Sequence, residues 1–306
     1  MTPAMLADLV RSAGAEVLTE RGLDTAALPA EIIVRRPRNP RHGDYATGMA
    51  LQVAPRVGLA PLELAGALAD RLAREPALDT VEVATPGFLN LRLAPAAGYG
   101  VVADILEQGT RYGGADRVEL TAGDPLTRVN EVTGAPVTEQ DLAALVGQDE
   151  ARYALLRCPP GSVHIDEDLL RTQRPNNPCY LVRYAHARLA SVSRGAQRLA
   201  IDPALGTAAS DAKLTDDHTA ELVRILAEWP EVCETAANRS EPHRIARYLE
   251  DLARACHAFA DTCQLLPKGD EPSSEGHTAR VRLCLAVKQV MANGLRLLGV
   301  SAPEWM

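Results

Sequence analysis

At 306 residues, with 46% apolar and 24% charged side chains and a formal net charge of −8, the chain has the composition of an ordinary globular protein with room for two domains. No run approaches the ~20 consecutive apolar residues that span a bilayer, and the N-terminus lacks the basic, apolar, small-residue order of a secretory signal. A cytoplasmic protein without membrane contact is therefore expected.

In chain order, Met5, Leu6, Leu9, Val10, Ala13, Val17 and Leu18 recur at helical spacing until Gly22 stops the pattern. A short β-branched run at 31–36 is closed by Pro37 and Pro40, and residues 45–57 and 61–74 then alternate with a period near 3.6. Asp44 is placed to cap the first amides of the helix predicted over 45–57. Val81, Val83, Leu89, Leu91 and Leu93 alternate across Pro86-Gly87, which predicts two short antiparallel strands. A helix at 96–108 closes an α+β unit over residues 1–113.

Residues 114–137 are rich in Gly, Thr and Asp without a sustained period and are expected to be a linker. Residues 138–306 are predicted to be an all-α bundle. Ile245, Leu249, Leu252, Cys256, Phe259, Cys263 and Leu266 step by four and three, as on the seam of packed helices, and Leu283, Val287, Val290, Gly294 and Leu297 mark another such face. Six cysteines (Cys158, Cys179, Cys233, Cys256, Cys263, Cys284) form no Cys-x-x-Cys pair and no Cys/His cluster, so neither zinc nor disulfides are expected. No cofactor is expected either.

The most informative run is 178–195, which combines a helical apolar face with arginines and two tyrosines. Residues 171–201 hold Arg171, Arg174, Arg183, Arg188, Arg194 and Arg198 and no acid. In an acidic chain such an island is a localised field for phosphate, unless the helix merely exposes a solvated charged face.

Two groups of motifs resemble arginyl-tRNA synthetases. Asn39-Pro-Arg-His-Gly-Asp-Tyr-Ala-Thr, Ala50-Leu-Gln-Val-Ala and Pro86-Gly-Phe-Leu-Asn-Leu-Arg-Leu are similar to the N-terminal additional domain of that family. Arg152-Tyr-Ala-Leu-Leu, Tyr184-Ala-His-Ala-Arg and Met291-Ala-Asn-Gly-Leu-Arg-Leu-Leu-Gly-Val-Ser-Ala-Pro are similar to its C-terminal anticodon-binding domain, the DALR domain. In the family a nucleotide-binding catalytic domain with a His-Ile-Gly-His motif lies between the two. Here no His-x-Gly-His occurs, and the 24 residues between the expected domains are too few for the βαβ units of a Rossmann sheet. Arg128-Val-Asn-Glu-Val-Thr-Gly matches the place of the family's Lys-Met-Ser-Lys loop, with Glu131 in place of the second lysine; an unrelated linker is the other reading of this segment.

The resemblance implies site residues. Phe88 and Asn90 match positions that meet the tRNA D-loop, Phe88 by stacking and Asn90 by hydrogen bonding, although a lone Phe on a strand is also a common core residue. Arg35, Arg36, Arg38 and Arg41, in an acid-free stretch, are placed to meet tRNA backbone, Arg38 and Arg41 foremost. Asn176, Tyr180, Arg183, Tyr184, His186, Arg188 and Arg194, with Asn293, Trp305 and Met306, match or adjoin the anticodon site. Tyr184 has a core reading as well, and His186 that of a satisfied structural histidine. Ala260 replaces a common aromatic of the family.

The expected function is that of a catalytically inactive relative binding tRNA, an arginine acceptor foremost, as an accessory or regulatory protein. The alternative is a protein–protein interaction or scaffold protein, which includes self-association. An unrelated enzyme has little support, since the acidic run Asp166, Glu167, Asp168 reads as a solvated turn and no catalytic residues are identified.

Overall fold

The computed structural model describes residues 1–37, 39–116, 118, 127–130, 134–159, 162–211 and 213–306. Its contacts divide the chain into two units, Met1–Val101 and Val102–Met306.

The first unit begins with α1 (Pro3–Glu20), started by Thr2, whose side chain accepts from the Met5 amide, and by a proline in the first turn. Strand β1 (Val34–Arg35), strand β2 (Tyr45–Thr47), helix α2 (Met49–Val53), helix α3 (Pro61–Leu72) and strands β3 (Leu78–Ala84) and β4 (Phe88–Leu93) follow. The strands form an antiparallel sheet in the order β1-β2-β4-β3. Leu6, Val10 and Leu18 of α1, Leu64, Leu68 and Leu72 of α3, and Leu89 and Leu91 of β4 share one buried cluster. Each such leucine contributes roughly 1.5–3 kcal/mol on burial.

The helix predicted over 45–57 is corrected in its first part. The amide of Asp44 donates to the Leu91 carbonyl at 2.9 Å and its carboxylate accepts from the Leu93 amide at 2.9 Å, so Asp44 ties β2 to β4 and does not cap a helix. Gly43, at φ 94°, passes so close to Leu91 that an added Cβ would lie 2.7 Å from its carbonyl oxygen. Tyr45 and Thr47 then point inward and are buried, so strand pairing overrides the local helical period. The Pro86-Gly87 break is the β3–β4 turn, with Ala84 opposite Phe88.

Helix α4 (Pro95–Gln108) contains the boundary between the units, which sequence had placed near Gly114. The turn after it packs into the helical unit. The Tyr112 hydroxyl donates to the Leu226 carbonyl at 3.1 Å and Trp229 Nε1 donates back to the Tyr112 carbonyl at 3.1 Å. Gly113, at φ 70°, would put a Cβ 2.7 Å from Trp229 Cδ1. A local sequence window cannot register this docking, because its partners lie more than a hundred residues away.

Residues 114–137 are not linker throughout. Strands β5 (Thr127–Asn130) and β6 (Pro136–Thr138) form an antiparallel pair, and β5 also runs parallel to β7 (Ser162–Val163). Glu131 lies outside the described residues. Helices α5 (Glu139–Val146), α6 (Gln148–Arg157), α7 (Glu167–Leu170), α8 (Pro178–Arg198), α9 (Ala208–Asp211), α10 (Asp217–Arg239), α11 (His243–Thr262) and α12 (Glu275–Leu297) complete the unit. Asp166 caps α7, its carboxylate accepting from the Leu169 amide at 2.9 Å, while the Asp168 side chain is fully exposed, so the acidic run 166–168 is a capped and solvated helix start.

Trp229, Tyr153 and Phe259 are fully buried in this bundle. Gly294 lets α12 approach α11 closely, since a Cβ there would lie 2.7 Å from Leu249 Cδ2. The architecture is thus an α+β unit followed by a helical one, and no Rossmann-type sheet occurs among the described residues.

Candidate nucleic-acid interface

Helix α8 organises the helical unit's site. Buried Asn177 caps it, its side-chain oxygen accepting from the amides of Cys179 at 3.1 Å and Tyr180 at 3.4 Å, while Nδ2 donates to the carbonyls of Leu170 and Thr172. Leu181, Val182, Ala185 and Leu189 turn inward. Tyr180 and Tyr184, four residues apart, share the other side. Their rings stack at 5.5 Å between centroids with an 8° interplanar angle.

Tyr184 also stacks on His257 of α11, at 5.6 Å and 22°. It is 37% exposed, so it is a surface ring and not core. Arg188 stands at the end of this row, with Nη1 3.4 Å from His257 Nδ1 and Nη2 2.8 Å from Asp261 Oδ1. A guanidinium only donates, so this contact requires an unprotonated His257 Nδ1. Burial, and then Arg188, hold the His257 pKa below the usual imidazole value, in keeping with that state.

The arginine island is mostly neutralised by acids from other elements, which corrects the expectation of an open basic field. Arg183 pairs with Glu150 at 2.8 Å and Asp149 at 3.1 Å and donates to Ser301 Oγ at 3.1 Å. Arg194 donates to the Glu304 carbonyl at 2.9 Å, and its guanidinium carbon lies 3.4 Å from the Trp305 ring centroid. Arg171 bonds the Leu145 carbonyl and Glu167. Arg174 and Arg198 are exposed and make no ion pair among the described residues. The stretch is acid-free only along the chain.

His186 and Asn293 are also corrected as direct contacts. His186 is 2% exposed, and its Nδ1 lies 2.8 Å from the Pro303 carbonyl, the geometry of an Nδ1–H donor. Burial depresses its pKa. Asn293, 1% exposed, donates to the Gly109 carbonyl at 3.0 Å and accepts from Gln289 at 3.0 Å. Both hold neighbouring backbone in place.

His186, together with the Lys288–Glu304 pair at 2.7 Å, pins residues 303–304. Trp305 and Met306 are then presented at 71% and 55% exposure. Asn176 is exposed beside the α8 cap.

In the first unit, β4 sends Leu89 and Leu91 into the core and leaves Phe88, Asn90 and Arg92 on the other face. Phe88 is 42% exposed; its Cε1 lies 3.2 Å from where a Cβ on Gly48 would be. Asn90 has Ala46 of β2 on one side and Glu82 of β3 on the other, and Arg35 of β1 extends the same row. Arg41 is exposed, with its amide bonded to Asn39 Oδ1 at 3.1 Å. Arg38 lies outside the described residues.

His257 and Asp261 were not singled out from sequence. Their spacing at i and i+4 on α11 was visible, but only the packing of α11 beside α8 brings them to the tyrosines. Among the described residues no group of three His, Cys, Asp or Glu side chains is arranged to hold a metal, and no helix is long and apolar enough to cross a membrane. The described cysteines are free thiols, and burial pushes those of Cys233 and Cys256 up to about 12.

Two family models match this chain, one within each unit. Residues 5–93 match the model of the arginyl tRNA synthetase N terminal domain, and residues 182–306 match that of the DALR anticodon binding domain. The fold resembles Thermus thermophilus arginyl-tRNA synthetase with a TM-score of 0.63 at 13% identity, covering 98% of this chain and 100% of that one. It also resembles arginyl-tRNA synthetase from Plasmodium falciparum, with a TM-score of 0.65 at 9% identity and full coverage of both chains. At such identities the likeness speaks for the fold.

Proposed function

Since the chain is arginyl-tRNA synthetase-like, with that family's N-terminal and DALR anticodon-binding domains and no Rossmann-type sheet among the described residues, we propose that it is a tRNA-binding accessory or regulatory protein that does not itself charge tRNA. The observation that carries this reading is the ring row Tyr180, Tyr184, His257 ending at Arg188, in which Tyr184 is 37% exposed. Loop bases splayed from a single strand stack on such rings, at about 1–3 kcal/mol per base.

Tyr180 and Tyr184 would receive anticodon-loop bases, with Asn176, Trp305 and Met306 as the rim. Arg183 and Arg194 hold the rim in place, and His186 and Asn293 act as positioning residues. In the first unit Phe88 would stack on a D-loop base and Asn90 would bond its edge, with Arg41 and Arg38 meeting backbone phosphate. The family makes an arginine acceptor the leading ligand, and such a protein would work in the cytoplasm.

The test is retardation of total tRNA and of arginine-acceptor transcripts at micromolar protein and low salt, beside a charging assay with arginine and ATP. Salt-sensitive binding without charging is expected. Charging by the purified chain would refute the reading. Failure to bind would favour a protein–protein scaffold, a second reading supported by how many α8 arginines are already paired within the fold.

A further inference from the structure

The edge of the ring row has a donor and an acceptor side by side. Arg188 reaches His257 with Nη1 and Asp261 Oδ1 with Nη2, and Asp261 is 67% exposed at its side chain. Arg183 and Arg194 are engaged elsewhere, so Arg188 is the guanidinium that meets the row. Building on the tRNA-binding reading, we propose that Arg188 and Asp261 form a donor–acceptor pair that selects a nucleobase edge over backbone phosphate at the Tyr184–His257 rings.

The chemistry is direct. A phosphate offers acceptors only, so Arg188 attracts it while the Asp261 carboxylate repels it and competes for the same guanidinium. A base edge offers an N–H beside a ring nitrogen or carbonyl acceptor, which satisfies Asp261 and Arg188 together. A base laid against the exposed part of the Tyr184–His257 stack would bring its edge to Arg188 and Asp261 at the end of the row. Asp261 thus restrains an arginine that would otherwise bind any polyanion, which is specificity by an element placed against the wrong ligand.

The test is Asp261→Ala, with Glu234→Ala, an exposed acid of α10, as the control for charge alone. Binding to inorganic polyphosphate, which has no bases, and to tRNA is measured at one fixed ionic strength. Freed from an exposed ion pair, Arg188 should raise polyphosphate affinity by up to about fivefold. Loss of the acceptor should lower tRNA affinity about threefold to tenfold. In Arg188→Ala/Asp261→Ala the polyphosphate gain should vanish.

Opposite shifts for the two ligands support the pair. Shifts of one sign, as Glu234→Ala should give, or no shift at all, overturn it while the tRNA-binding reading stands. A wild-type chain that binds no tRNA refutes both.

Discussion

Removing the middle ring of the row is the most direct perturbation. In Tyr184→Leu the helix keeps a strong former of similar bulk, but the 5.5 Å and 5.6 Å stacks with Tyr180 and His257 are lost together. If one loop base stacks there, the cost is about 1–3 kcal/mol, or roughly a 5- to 150-fold weaker complex at 1.36 kcal/mol per decade. Fold stability should fall less. Aromatic pairs contribute about 0.5–1.5 kcal/mol each beyond their buried area, and Tyr184 is 37% exposed, so the two stacks together should cost about 1–2 kcal/mol.

The assay is fluorescence anisotropy of a labelled anticodon stem-loop across a salt series, with thermal unfolding followed by circular dichroism. Because tyrosine is neutral, the slope of log K against log salt should match wild type while the whole line drops. A folded variant that binds the stem-loop as tightly as wild type would show that the rings are not the platform.

Arg183→Glu should damage the fold before it damages recognition. It sets a third carboxylate against Asp149 and Glu150, both about four-fifths buried, at a cost of about 2–4 kcal/mol, and a variant with unchanged melting temperature would contradict the assigned role. His186 gives a pH dependence. Burial lowers its folded pKa, so the unfolded chain binds more protons and stability should decline as pH falls below about 6.5, the unfolded value, and on through the folded one. His186→Gln should flatten that part of the denaturation profile; an unchanged profile would exclude His186 as its source.

Much of this molecule is legible along the chain. The period of residues 4–21, the Pro86-Gly87 break between alternating strands and the four-three steps of residues 245–259 each depend on neighbours within about two turns or one hairpin, so they foretold α1, the β3–β4 pair and α11, which ends at Thr262, before Cys263 and Leu266 of the expected seam. Phe88 and Asn90 follow from the same local alternation, which puts them opposite Leu89 and Leu91.

Tertiary structure decided what depends on partners distant in sequence. It turned Tyr45 from a helix start into a strand, because Leu91 and Leu93 bond Asp44 across the sheet. It made His186 and Asn293 buried braces, and it brought His257 and Asp261 to Tyr184 and Arg188. Charge shows the difference most clearly. A run free of acids over thirty residues is a property of the chain, but the field at α8 depends on distance in space, and Asp149, Glu150, Asp261 and Glu304 lie within 4 Å of its arginines.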